Sequence, residues 1–431
     1  MMSPPIVTSS RLAYSSPIPT RLFIALALLA FSVFINYIDR GNLSIAAPFL
    51  QQELSLSPSR LGLLLSAFFW TYSCSQLLSG WLVDRFNGNL VFAAGFALWS
   101  AATALTGLVH SFAVLFALRL LLGVGESVAY PSYGKILSLN FSETQRGFAN
   151  AMLGSGLLLG PGFGFLLGGM LIARLGWRPF FFALGTASLL WLVPWFLFMP
   201  KAVPPLLAAA SDSAAPSLLE FLQLRSAWGT CLGLFANNYV SYFLITWMPY
   251  YLVRERHFSV GNMARLAGGA YLLGAAASLA SGRLSDRWIA SGATLTLVRK
   301  TFTGGGTALC GIFVGLAALS NPVYCSAALI LGVIFFGVVA SNLWAITQTL
   351  AGPIATGRWT GFQNFLGNLA GIVAPALTGF VLQRTGHFYW AFVIVAAVAL
   401  AGTASWLFLV GPVAPVTWHR AAHGRLTSSG V

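Results

Sequence analysis

Twelve stretches of this 431-residue chain stay apolar for long enough to cross a bilayer, which takes about 18–25 residues each. They lie near residues 22–44, 59–82, 89–109, 112–137, 147–173 and 178–199, then near 227–252, 264–284, 299–319, 322–347, 357–383 and 387–410. In lipid no water is available to satisfy backbone N–H and C=O groups, so each stretch has to close its hydrogen bonds internally, as a helix. The chain is 57% hydrophobic and 7% charged, against about 25% charged in a soluble domain. The expected fold is therefore an all-α polytopic membrane protein, with 12 transmembrane helices in two six-helix halves.

The order is six, linker, six. Residues 1–21 are rich in Ser and Pro and are expected to be disordered. Residues 22–200 form the first half, 201–225 a polar linker, 226–410 the second half and 411–431 a tail. The apolar run at 22–38 is too long for a signal peptide and lacks a cleavage site, so it is read as a retained helix. The halves repeat one another. GWLVDR, Gly80 to Arg85, follows the second segment, and GRLSDR, Gly282 to Arg287, follows the eighth. The fifth and eleventh segments are both Gly-rich with an embedded proline, Pro161 and Pro375. Two similar halves of this kind are the plan of secondary transporters, whose site lies between the halves near the midplane.

The formal charge of +14 does not point to nucleic acid, because the basic residues are scattered over short loops. They fall about two to one on the side that carries both termini, which assigns that side to the cytoplasm. Cys74, Cys231, Cys310 and Cys325 lie in apolar segments without metal-ligand spacing and are read as small buried hydrophobes. The five histidines, His110, His257, His387, His419 and His423, lie in loops or the tail, and no nucleophile–base pair or Walker-type GxxxxGK[ST] stretch is present. An enzyme is not indicated, and no cofactor or metal is expected.

Two of the nine acidic residues, Asp39 and Glu126, remain inside the membrane, with Arg40 and Arg119. A charge there costs roughly 2.5–3.5 kcal/mol on insertion scales and marks a functional site by default. Asp39 and Arg40 point about 100° apart and can address different partners. Arg119 and Glu126 are seven residues apart and share a face. Arginine stays protonated and offers a planar fork to a carboxylate, whereas a carboxylate can gain and lose a proton. The set suits an organic anion carried with H⁺; ion pairs that glue helices 1 and 4 are the structural alternative. Buried polar and aromatic groups at Tyr37, Tyr72, Tyr130, Trp344, Gln348, Asn364 and Asn368 are candidate path-lining residues, with interhelical hydrogen bonds as the alternative for Gln363, Asn364 and Asn368. Gly80, Asp84, Arg85, Gly282, Asp286 and Arg287 sit at cytoplasmic helix ends, where Asp can cap the next helix and Arg can pin a loop; they are assigned to gating.

GWLVDR resembles the loop 2–3 motif of the major facilitator superfamily, and the resemblance covers about 22–410. NYIDRGNLSIA, WTYSCSQ (with Trp70, Tyr72 and Gln76) and LRLLLGVGESVAYP resemble the anion:cation symporter family, whose bacterial members import hexuronate, galactonate, glucarate and phthalate. The resemblance implies proton handling by Asp39 and Glu126, anion binding or coupling by Arg40 and Arg119, and substrate contacts at Tyr37 and Asn364. It departs from the pattern at FNGNL after the loop motif, and at Leu157, where galactonate-type members carry Gln. GLLLGP, Gly156 to Pro161, resembles a motif frequent in antiporters. The expectation is a proton-coupled importer of an organic carboxylate working as a monomer in a bacterial inner membrane. Anion exchange or drug efflux on the same fold is the alternative.

Overall fold

The apolar segments fold as helices throughout. The computed structural model describes residues 18–141, 143–200, 218–319 and 321–418, apart from individual side chains within helices. Among the described residues there is no strand. The long helices in chain order are α1 Thr20–Glu53, α2 Pro58–Arg85, α3 Gly88–Thr106, α4 Phe112–Leu137, α5 Met152–Leu175 and α6 Trp177–Phe198. The second set is α7 Arg225–Arg254, α8 Val260–Ala290, α9 Leu295–Leu319, α10 Val323–Gly352, α11 Trp359–Thr385 and α12 Tyr389–Leu409. Ten of these are long and apolar enough to cross a membrane. The other two, α2 and α7, have 28 and 30 residues and occupy the places expected for the second and seventh spans.

The expected terminal and linker segments fall largely at residues 1–17, 201–217 and 419–431, outside the described residues. The end of the linker, Leu218–Gln223, is a short helix. Past α12 the chain turns back on α10: Val416 N donates to Leu350 O at 2.9 Å and Trp418 Nε1 to Ala351 O at 3.1 Å. Helix α10 ends at Gly352, whose φ of +63° belongs to a region that a side chain rarely adopts.

The repeat seen in the loop motifs extends to groups that hold the helix ends. Ser57 caps α2 and Ser259 caps α8, each accepting from the N–H three residues on. At the end of α1, Glu53 accepts from Trp177 Nε1 at 3.0 Å and pairs with Arg178 at the start of α6. At the end of α7, Glu255 accepts from Phe388 N, just before α12, at 3.0 Å. At the opposite end, Arg21 donates to Leu197 O at the foot of α6 and Arg225 to Phe408 O at the foot of α12, both at 3.2 Å. Cations on terminal carbonyls complement the helix dipole. The first and last helices of each half are thus tied by the same chemistry at both ends.

The halves meet at the end carrying the α1–α2 and α7–α8 loops, here termed distal because it lies opposite the start of α1 and the segment around Trp418. A Cβ on Gly62 of α2 would lie 2.6 Å from Pro375 O, and one on Gly379 of α11 would lie 2.5 Å from Pro58 O. Small residues allow this backbone approach. Tyr250 of α7 donates to Gln51 of α1 at 2.5 Å, and Ser59 N to Gln383 of α11 at 3.2 Å.

Three of the four cysteines are buried as expected; Cys74 is exposed. It shares the outward face of α2 with exposed Trp70 and Leu78, spaced four residues apart along the helix. Phe180 and Phe181 pack inward and Phe182 outward.

Candidate functional site

The apolar sequence around residues 32–50 buries nearly every side chain of central α1, charged ones included. Asp39 and Arg40 are adjacent and diverge, as 100° per residue requires. Arg40 Nε donates to Glu126 Oε2 of α4 at 3.1 Å. Glu126 is fully buried and Arg40 is 6% exposed. The Arg40 guanidinium carbon lies 4.8 Å from the Tyr37 ring centroid, 5.0 Å from Phe68 and 4.6 Å from Tyr72. These ring faces favour a cation that has lost its water, by about 2 kcal/mol at desolvated sites.

Arg119, two turns from Glu126 on the same face of α4, is also buried and lies 5.4 Å from the Phe68 centroid. Its Nε is buried without a hydrogen-bond partner, and it forms no ion pair among the described residues. Asp39 sits behind this wall beside Thr103 of α3, within electrostatic reach of Arg119 and Glu126. Two guanidiniums and two carboxylates therefore share one low-dielectric region, with a single direct ion pair among them. A buried cation left without a direct partner is costly, and a stable bundle built for packing alone has no need of it.

In front of the wall lies a cavity of about 400 Å³ between the halves. Arg40 and Arg119 reach it from the first half. The second half contributes Asn237, Asn238, Ser241, Tyr242 and Thr246 from α7, Gln348 from α10, and Thr360, Asn364 and Asn368 from α11. Tyr242 donates to Asn368 Oδ1 at 2.7 Å, and its ring packs at a tilt against Phe69 of α2, centroids 4.2 Å apart, joining the two walls. The cavity extends to Gln348 and Thr360, beside the proximal ends of α10 and α11, while the distal end is closed by the Gly62 and Gly379 seam. Half-to-half clefts of this form, sealed on one side, are the architecture of alternating access.

Residues 29–375 match the Major Facilitator Superfamily. The chain belongs to that superfamily. It is 30% identical over 412 residues to the hexuronate transporter of Bacillus subtilis (strain 168), covering 92% of this chain and 95% of that one. It is 30% identical over 416 residues to the probable galactarate/D-glucarate transporter of the same organism, covering 88% and 90%. To the D-galactonate transporter of Escherichia coli it is 29% identical over 417 residues, covering 91% and 96%. Among solved structures it resembles a bacterial homolog to the human lysosomal transporter Spinster in an inward-facing and occupied conformation, with a TM-score of 0.72 at 19% identity, covering 96% and 98%. That likeness speaks for the fold. The relatives are of the anion:cation symporter type indicated by NYIDRGNLSIA and LRLLLGVGESVAYP, and they are transporters, not enzymes.

In this major facilitator protein all seven residues singled out as substrate contacts line the cavity: Tyr37, Arg40, Tyr72, Arg119, Trp344, Gln348 and Asn364. Tyr130 and Asn368 line it too, and Tyr130 shares a hydrogen bond of 3.2 Å with Tyr37. Asp39 and Glu126, singled out for protons, lie behind the arginines and not on the surface. Gln363 takes the structural alternative: it accepts from Thr347 at 2.7 Å and donates to Thr230 O at 3.2 Å. Among the gating candidates, Gly80 and Asp84, like Leu157 in α5, fall outside the described side chains, and Arg85 is exposed. Gly282 is half-buried, and Asp286 and Arg287 are exposed. Asp286 does not cap the following helix. The helix continues past it to Ala290, and Thr294 makes the cap of α9, as Asn87 does for α3. Asp286 instead accepts from Arg299 of α9 at 3.2 Å, and Arg299 also donates to Ser285 and to Asn342 of α10, both at 2.7 Å.

The polar set on α7 was not anticipated. Its signal was present: Asn237, Asn238, Ser241 and Tyr242 place amide and hydroxyl groups at helical spacing within an apolar segment. The same signal on α11 marks Asn364 and Asn368.

Proposed function

We propose that this protein imports an organic carboxylate of the sugar-acid class together with H⁺, by alternating access, with both termini in the cytoplasm. The observation that carries this reading is the buried Arg40–Glu126 pair at 3.1 Å, set beside a second buried arginine on the wall of the central cavity. A substrate carboxylate and Glu126 compete for the same guanidinium. With Glu126 ionised, Arg40 is occupied. With Glu126 protonated, Arg40 is released and its fork can take the substrate. Asp39 stands in a similar relation to Arg119, at longer range. The four charges cancel when all are ionised. A monoanionic substrate adds one negative charge to a low-dielectric site, and one proton restores the balance. Relatives that carry hexuronate, galactarate or D-glucarate, and D-galactonate support a sugar acid. The many amide and hydroxyl groups on the opposite wall suit its hydroxyls.

The test is transport in proteoliposomes with the Glu126→Gln protein. Gln mimics the protonated acid, so accumulation driven by a pH gradient should vanish while exchange of labelled for unlabelled substrate persists. Gradient-driven accumulation by Glu126→Gln at the wild-type level would overturn the coupling role. Wild-type uptake that ignores the pH gradient and requires an anion inside the vesicle would replace symport by anion exchange.

A further inference from the structure

We infer that the site selects a polyhydroxy monocarboxylate over the dicarboxylate of the same carbon skeleton. This rests on the carboxylate reading above and sharpens it, because relatives at the same level of identity are named for acids of both kinds.

The two walls are built on one plan and differ in charge. Residues 36–40 of α1 read NYIDR, and residues 238–242 of α7 read NYVSY, at the same interval that separates the capping residues Ser57 and Ser259. Asp39 is thus matched by Ser241 and Arg40 by Tyr242. Arg40 and Tyr242 both line the cavity, so the second wall presents hydroxyls where the first presents ions. Every charged group lining the cavity comes from the first half; the lining supplied by α7, α8, α10 and α11 is neutral among the described residues. On the first wall Arg119 has no ion pair among the described residues, and Arg40 joins it as a free guanidinium once Glu126 is protonated.

A substrate spanning this cavity puts its carboxylate at the arginines of the first wall, Arg40 and Arg119, and its other end against amides and hydroxyls. Hydroxyl groups both donate and accept, and so can use both the N–H and the C=O of Asn238 or Asn364. An ionised carboxylate only accepts. It wastes the carbonyls and brings a charge to a wall that has no counter-charge, which a low-dielectric site penalises. The second carboxyl of a diacid therefore weakens binding, where the alcohol of the corresponding monoacid fits.

The experiment uses matched probes on the purified full-length protein. D-Galactonate, galactarate and galactitol share one skeleton with one, two and no carboxyl groups; D-gluconate and D-glucarate form a second pair. Binding is read by ligand-induced thermal stabilisation and by competition for uptake in proteoliposomes. The expected result is that at least one monoacid binds about tenfold or more tightly than its diacid, a difference of about 1.4 kcal/mol, and that galactitol does not bind. Diacids that equal or exceed their monoacids in both pairs overturn the selectivity while leaving the carboxylate reading intact. Silence from all four acids removes the carboxylate reading and the selectivity with it. Asn364→Lys, which adds a cation to the neutral wall, should narrow the monoacid preference; an unchanged ratio in a folded variant overturns the assignment of selectivity to that wall.

Discussion

Replacing Glu126 by Leu should destabilise the protein by about 3 kcal/mol, the lower end of the range for breaking a buried pair by removing one partner. Glu126 has no exposure and Arg40 has 6%, so little water can replace the lost carboxylate around the guanidinium. The lower end applies because Arg40 borders the cavity and keeps its three aromatic neighbours at 4.6 to 5.0 Å in the variant. Glu126→Gln retains a carbonyl acceptor for Arg40 Nε, so its cost should be about 1–2 kcal/mol, the difference between a charge-assisted and a neutral hydrogen bond. Arg40→Met with Glu126→Leu removes both charges and should recover much of the loss, because an apolar pair of similar volume is often neutral or stabilising. The coupling energy expected from the four-protein cycle is about 2 kcal/mol. Reversible unfolding by SDS in mixed micelles, followed by far-UV circular dichroism, measures it. Single effects that add to within about 0.5 kcal/mol would show that the two groups do not depend on one another. The release of Arg40 by protonation, and with it the coupling scheme, would then lose its basis.

Two further outcomes are expected. Arg119→Lys exchanges a planar fork for a point charge and should weaken carboxylate binding about tenfold, measured as the competing concentration that halves uptake; an unchanged value would take Arg119 out of the binding site. Gly62→Val places methyl groups against Pro375 O, which already stands 2.6 Å from an added Cβ. It should reduce uptake at least tenfold in a protein that still folds and binds substrate, because the distal seam no longer closes, and normal uptake would show that transport does not require that contact.

Much of the site could be read from the sequence because lipid makes polar residues conspicuous. Asp39, Arg40, Arg119 and Glu126 stood out because charge is expensive in hydrocarbon, and the structure gathers all four on α1 and α4. Tyr37, Tyr72 and Asn364 followed from the same cost. The limits have the same origin. Amides and hydroxyls cost less than ions, so the α7 set around Asn238 and Ser241 was hidden among apolar neighbours, and Phe68, which stacks on both arginines, looks like any core residue in sequence. Capping by Asp286 failed because helical hydrogen bonding carried α8 on to Ala290, past the loop motif, and left the carboxylate to Arg299. Which wall a side chain faces depends on helix rotation within the bundle, and periodicity in an all-apolar environment carries little information about that.

The duplicated frame and the unduplicated charges together divide the work of the site. The groups that repeat, Ser57 with Ser259, Glu53 with Glu255 and Arg21 with Arg225, stand at helix ends, where each half has to be internally tied before it can rock as one body. The groups that do not repeat, Asp39 and Arg40 against Ser241 and Tyr242, stand at the midplane. In the proposed coupling scheme, the half that holds the only ions facing the cavity among the described residues is the half that handles protons. A neutral half that faces it with amides and hydroxyls can read the pattern of substrate hydroxyls without altering the charge balance. The proposed scheme thus puts coupling and stereochemical recognition on different helices, and it predicts that changes on α7 and α11 alter which sugar acid is chosen while leaving the dependence on the proton gradient in place.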